Sequence, residues 1–260
     1  MAVAPRGGPG DPRPARWAGW PAAVVALLVV GCSSSLPRTT PAPPPAASDV
    51  GEGALDAGLF TLPAAELGTQ RIVRLRYQGP GDDGTLYLVL RLERPDRYTL
   101  EGNARLLGKS VFRLMVDDGR AIFLDLQRSE YCRLERAIEI SAIPLGPLPF
   151  DVLPALLLGR LPTAPASPVQ RSGEAGDLAF RDGQGREWTV QVRDGRVERW
   201  TLWREGEPAV WWLDDGSAAY LSAREEGLQL RWRAGAAEPL RAPLEPPAVP
   251  TGFTAGSDCG

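Results

Sequence analysis

The stretch Thr85-Leu86-Tyr87-Leu88-Val89-Leu90-Arg91-Leu92-Glu93 carries a leucine at every second position. Side chains alternate between the two faces of a strand, so this spacing predicts one strand with an all-leucine face backed by Tyr87, Val89 and Arg91. The leucine face is the expected core. Outward from it the same period of two recurs at 71–78, 97–102, 110–117 and 120–126, with turn signals at Gly81-Asp82-Asp83-Gly84 and Asp117-Asp118-Gly119. The second half repeats the pattern. Strands are predicted at 186–193, 197–204, 210–213 and 218–223, and around Leu228, Leu230 and Trp232, with turns at Asp194-Gly195 and Asp214-Asp215-Gly216. The spacing predicts a mainly β chain of about ten or eleven antiparallel strands. Sheets that wide tend to curl.

One segment breaks the alternation. Leu148-Pro149-Phe150-Asp151-Val152-Leu153-Pro154-Ala155-Leu156-Leu157-Leu158-Gly159 predicts a short helix with Asp151 as N-cap, Pro154 in the first turn and Gly159 at the end. It is apolar nearly all round, so it must be covered on several sides and is expected in or across the mouth of the sheet. A curled sheet with such a helix either packs solid or encloses a cavity. Both readings stay open.

Function classes narrow by composition. The chain has 260 residues, a formal net charge of -3 and no histidine. That balance gives no basic footprint for nucleic acid. The missing histidine removes the commonest general base, serine-histidine triads and most zinc sites. Asp117, Asp118, Asp125 and Glu130 gather near one hairpin, where turn chemistry and a solvated face account for them. Arg71, Arg74 and Arg76 are expected on an outer face near Glu93 or Asp96. No catalytic constellation, cofactor site or metal-ligand set emerges, and Glu101-Gly-Asn-Ala-Arg-Leu-Leu-Gly-Lys-Ser110 fails as a phosphate loop. It has five residues between Gly102 and Gly108 where four are required, and a strand pattern follows where a helix should.

The N-terminus points to the cell envelope. Arg6, Arg13 and Arg16 precede an apolar run, Ala22 to Val30, suited to export and too short to span a bilayer. It ends in Val29-Val30-Gly31-Cys32, which resembles the lipobox of bacterial lipoproteins, where the cysteine sulfur takes diacylglycerol and the chain is cut before it. This divides the chain into a signal peptide at 1–31, a lipidated Cys32 with a proline-rich tether at 32–50, a β domain at 51–240 and a Pro/Gly-rich tail at 241–260. Two or more acyl chains give lasting attachment where one does not. Ser33, in place of the aspartate that retains such lipoproteins in the inner membrane, favours the outer membrane. Cys132 and Cys259 remain, in a compartment that permits disulfides, with their pairing open.

The order of parts resembles the LolA/LolB group of lipoprotein carriers, most closely LolB. Asp96-Arg97-Tyr98-Thr99-Leu100 leads into a loop with Leu107-Gly108 and then Ser110, and Leu148 to Gly159 followed by Arg160-Leu161-Pro162 is similar to the family's apolar helix and Leu-Gly-x-Pro motif. The resemblance covers roughly residues 70 to 205. It implies a single unclosed antiparallel β-barrel, with the helix at its mouth, that shelters acyl chains.

On that resemblance Leu106, Leu107 and Gly108 form a membrane-insertion loop, and Phe150, Leu153, Leu156 and Leu157 line the cavity or its lid. The alternative for Leu106 and Leu107 is packing under the sheet. The implied partners are lipoprotein acyl chains or another lipid, a LolA-type periplasmic carrier, and the outer membrane through the anchor, with the protein acting as a monomer. Residues 49–68 depart from the family, which has a longer first helix; here glycines and Pro63 leave room for one short helix. Trp211-Trp212 is expected to face both sides of a strand, with the outer ring open to a membrane-interface role. A competing reading is an assembly lipoprotein that uses the same fold for protein contacts, since fold does not fix function. A third, an envelope hydrolase, is disfavoured by the missing histidines.

Overall fold

The computed structural model describes residues 52–53, 55–80, 82–104, 109–138, 145, 148–172, 177–223 and 227–256. The expected signal peptide and tether, Cys32, the loop residues Leu106, Leu107 and Gly108, and Cys259 lie outside them.

Two meanders build one sheet. The first runs through β2 (Thr69–Gly79), β3 (Asp82–Arg94), β4 (Arg97–Asn103), β5 (Ser110–Asp117), β6 (Arg120–Asp125) and β7 (Glu130–Glu135). The second runs through β10 (Val169–Ser172), β11 (Asp177–Arg181), β12 (Glu187–Arg193), β13 (Arg196–Arg204), β14 (Glu207–Asp214), β15 (Ala219–Ala223) and β16 (Leu228–Ala234). β16 pairs antiparallel with β2, Trp232 opposite Leu75, and fuses the meanders. β1 (Glu52–Gly53) extends the β10 edge, β17 (Glu238–Pro239) pairs with β2, and β18 (Thr254–Ala255) lies parallel to β7. Among the described residues the sheet counts sixteen strands, more than the ten or eleven expected. The surplus is β7, β10, β11 and two-residue edge pieces, whose alternation is too short to register. A separate hairpin joins β8 (Ala137–Ile138) to β9 (Leu148–Pro149).

Register sorts the side chains into two faces. Val73, Leu88, Leu90, Leu100 and Leu114 share one face with Trp188, Trp200, Trp212, Leu221 and Trp232, and all join one buried cluster. We call it the inner face. The turns follow the backbone rule for tight hairpins: Asp118 and Gly119 have φ of 49° and 74°, and Asp194 and Gly195 have 51° and 71°. Both central positions are left-handed, as a type I′ turn requires. The first hairpin differs from expectation, because Asp82 to Gly84 are in β3, with Asp82 already paired to Gly79. Gly84 is needed in the strand, where an added Cβ would meet the Tyr77 hydroxyl oxygen at 2.5 Å.

Two further expectations are corrected. Arg71 pairs with Glu66 at 2.6 Å, not with Glu93 or Asp96, because its register partner Leu90 sets it on the face opposite to Arg74 and Arg76. Asp151 holds the N-cap position of the helix Val152–Leu157, yet its φ and ψ of -67° and -20° are helical and its side chain makes no cap bond. Before β2 the chain makes two 3-10 turns, Ala57–Leu59 and Ala64–Glu66.

After β17 the proline-rich C-terminal segment forms a strap on the outer face. The Leu244 amide donates to Glu93 at 2.9 Å, Arg97 donates to the Leu244 carbonyl at 2.7 Å, and the Gly256 amide reaches the Tyr131 carbonyl at 2.9 Å. Leu244 is buried beneath it. Cys132, next to Tyr131, is disulfide-bonded to a partner outside the described residues.

Candidate functional site

The strands β7 and β10 lie near opposite edges of the sheet, and the chain between them, residues 136–168, is its longest connection. This crossover carries the helix. Leu145, Leu148, Phe150, Leu153, Leu156 and Leu161 are buried in the inner-face cluster, with Leu157 partly buried against it. Leu59 joins them, and the Leu161 amide donates to its carbonyl at 2.9 Å. Phe150, Leu153, Leu156 and Leu157 are therefore brought together as apolar packing on the inner face.

Side chains from distant strands hold the crossover by its backbone. The Tyr98 hydroxyl on β4 donates to the Phe150 carbonyl at 2.9 Å, and the Trp232 indole on β16 donates to the Leu157 carbonyl at 3.0 Å. Arg186, just before β12, donates through Nη1 to the Leu145 carbonyl. In the sheet order β12 and β4 are seven strands apart, about 34 Å if the sheet were flat. Leu145 and Phe150 are separated by about 17 Å of fully extended chain at most. The sheet must curl around the crossover to make both bonds.

The Arg186 donor is itself positioned. Asp182, buried with its side chain 1% exposed, accepts from Arg186 Nε at 2.7 Å and from the Trp188 indole at 2.9 Å. Its other oxygen takes the amides of Gln184 and Arg186 at 2.9 and 3.0 Å. Burial alone would raise the Asp182 pKa, but these donors outweigh it and hold the carboxyl below its ordinary value. The Tyr98 phenol moves the other way. Burial, helped by the Asp151 carboxylate, pushes it well above the ordinary tyrosine value, so it remains a donor.

Beneath the crossover the second meander presents a row of rings. Phe180 stacks on Trp188 at 6.4 Å, Trp188 tilts against Trp200 at 5.4 Å, and Trp200 stacks on Trp212 at 6.3 Å and 8°. The indole donors are treated unequally. Trp188 reaches Asp182, Trp203 reaches Thr189 and Trp232 reaches Leu157, but the buried Nε1 atoms of Trp200 and Trp212 have no partner among the described residues. A buried donor left unpaired costs about 1–3 kcal/mol. Trp211, opposite Thr201 on the outer face, is half-buried while Trp212 is fully buried, so the Trp211-Trp212 pair does face both ways.

The foot of the loop between β4 and β5 is braced. Ser110 opens β5 and donates to Glu101 at 2.5 Å, and Arg113 donates to the same carboxylate at 3.0 Å. Burial would raise the Glu101 pKa, but Ser110, Arg113 and Arg91 bring it below the ordinary value. A concavity of about 930 Å³ lies on the outer face under the strap, bordered by Ile72, Arg91, Thr99, Arg113 and Met115. Its lining mixes arginines and glutamates with apolar side chains of the sheet and the strap.

Alternation sets Trp188 and Trp232 apart from the polar neighbours on their strands. It carried no signal for Tyr98, Asp182, Arg186 or Trp232 as holders of the crossover, because each acts on a residue far away in sequence.

No family model and no curated protein matches the sequence. Among solved structures the chain is similar to a domain described as an outer membrane lipoprotein-sorting protein from Vibrio parahaemolyticus, with 7% identity and a TM-score of 0.45 over 68% of this chain and 87% of that one. It is similar to a LolA superfamily protein from Nitrosomonas europaea, with 8% identity and a TM-score of 0.45 over 71% and 90%. A DUF1329 family protein from Desulfovibrio piger aligns with 10% identity and a TM-score of 0.42 over 66% and 85%. Likeness at this level carries no argument about function.

Proposed function

We propose that this protein is a lipid-anchored carrier of the LolB kind, which takes lipoprotein acyl chains against its inner face and passes them to the outer membrane. The observation that carries the reading is the crossover itself. It is an apolar segment laid over a leucine- and tryptophan-rich face and tied there by side-chain hydrogen bonds from Tyr98, Trp232 and Arg186 to its backbone. Exchanging those few bonds for a lipid tail under the helix costs little apolar contact, because one apolar surface replaces another.

Cys32 anchors the chain, the tether holds the domain off the membrane as a monomer, and a LolA-type carrier supplies the cargo. Leu106 and Leu107, in the loop whose foot Glu101 and Ser110 brace, open the route into the bilayer. An isolated pair of exposed leucines costs little in water and gains by entering the interface. The test is transfer. Anchored protein in vesicles is expected to accept a lipoprotein from a LolA-type carrier and insert it, while Leu107→Glu still accepts but fails to insert. Wild-type protein that accepts nothing from the carrier would remove the reading and favour an assembly role.

A further inference from the structure

The unpaired indoles of Trp200 and Trp212 find a use in the acyl-binding reading, on which this inference rests. The two residues are direct cross-strand partners on β13 and β14, both fully buried, with parallel rings 6.3 Å apart. Their Nε1 atoms are enclosed without an acceptor among the described residues, although the indoles of Trp188, Trp203 and Trp232 have found one. The Trp212 ring edge lies under Gly159, just past the end of the helix. A Cβ built on Gly159 would sit 3.6 Å from Trp212 Cζ2, two bonds from Nε1. Gly159 has φ of 78°, a conformation that disfavours any side chain there, so this position adds no side chain over the ring edge.

We infer that Trp200 and Trp212 form a paired donor site for the two ester carbonyls of a diacylglyceryl group. A hydrocarbon tail needs no donor, and a free headgroup would not be drawn beneath an apolar helix. A diacylglyceryl group brings what this place lacks: two neighbouring acceptors, each at the top of an apolar chain. With the carbonyls on the indoles, the acyl chains lie along the leucine face of β2, β3 and β4. The same chemistry occurs in lipoproteins, as diacylglyceryl cysteine, and in phospholipids.

The experiment is a competition read by native mass spectrometry of the full-length protein, released from non-ionic detergent micelles. One arm offers equimolar diester and diether forms of a diacylglyceryl-cysteine peptide, and the other offers diester and diether phosphatidylethanolamine. Wild type is expected to retain ester over ether by at least about tenfold, the effect of one to two hydrogen bonds, in the arm that matches its cargo. Trp200→Phe/Trp212→Phe keeps the rings, removes both donors and is expected to retain ester and ether equally. Equal retention by wild type overturns the inference without needing any variant, as does a preference that survives in the double variant. Retention of neither lipid in either arm would instead remove the acyl-binding reading beneath it.

Discussion

The Tyr98 hydroxyl donates to the Phe150 carbonyl at 2.9 Å, joining a core strand of the first meander to the segment that crosses the inner face. Tyr98→Phe keeps the ring and leaves a buried carbonyl unpaired. The expected loss is about 1–3 kcal/mol in denaturant unfolding, together with amide exchange across residues 150–157 that speeds up more than exchange in the sheet. The raised phenol pKa adds a pH signature. A group protonated in the folded state contributes stability that is full below the unfolded tyrosine value, about 10, and declines as pH rises above it. Wild type is expected to lose stability on the alkaline side of that value more steeply than Tyr98→Phe.

Asp182 gives the opposite limb. Its depressed carboxyl pKa contributes stability that is present above the unfolded aspartate value, about 3.9, and is lost as pH falls below it. Asp182→Asn leaves the Arg186 guanidinium without its counter-charge and is expected to cost about 3 kcal/mol at neutral pH. Its stability should also fall less steeply below pH 4 than that of wild type, measured by thermal unfolding across an acid series.

Gly102 lies opposite Phe112, whose ring covers it so closely that an added Cβ would come 2.2 Å from Cε1. Gly102→Ala is expected to destabilise by about 1–3 kcal/mol, the range for overpacking. Adding Phe112→Leu should recover part of that loss, a coupling read from a double-mutant cycle. Additive losses would mean that the ring moves aside freely.

The strap ends where β18 lies against β7, with the Gly256 amide on the Tyr131 carbonyl, three residues before Cys259 and one residue from Cys132. Peptide mapping without reductant is therefore expected to recover Cys132 joined to the C-terminal peptide. Cys132→Ala should cost about 2–4 kcal/mol and raise proteolytic cleavage at residues 245–256. Recovery of Cys132 as a free thiol would contradict this.

Much of the sheet was legible because alternation is a local signal. Leu86, Leu88, Leu90 and Leu92 announce their strand and face without help from elsewhere, and Asp118-Gly119 announces its turn. β10 and β11 were not legible, since Val169–Ser172 is short and mostly polar and Asp177–Arg181 interrupts its alternation with Ala179. The β16–β2 pairing and the parallel docking of β18 on β7 depend on contacts more than a hundred residues apart, which no local period encodes. The helix was readable from its lack of alternation, but not the partners that hold it. Tyr98 and Trp232 look like any aromatic on a core face until the fold brings a carbonyl to their polar tips. The unpaired donors of Trp200 and Trp212 are likewise a property of the packed interior.

The central claim is that acyl chains go to the inner face under the crossover and not to the outer groove under the strap. Photolabelling tests it most directly, using the full-length protein and a diacyl lipid carrying a diazirine in its acyl chain, with adducts mapped by mass spectrometry. The account predicts adducts on inner-face residues such as Leu88, Leu90, Leu153, Trp212 and Leu221. Adducts confined to Ile72, Met115 and residues 235–250 of the outer groove would contradict it.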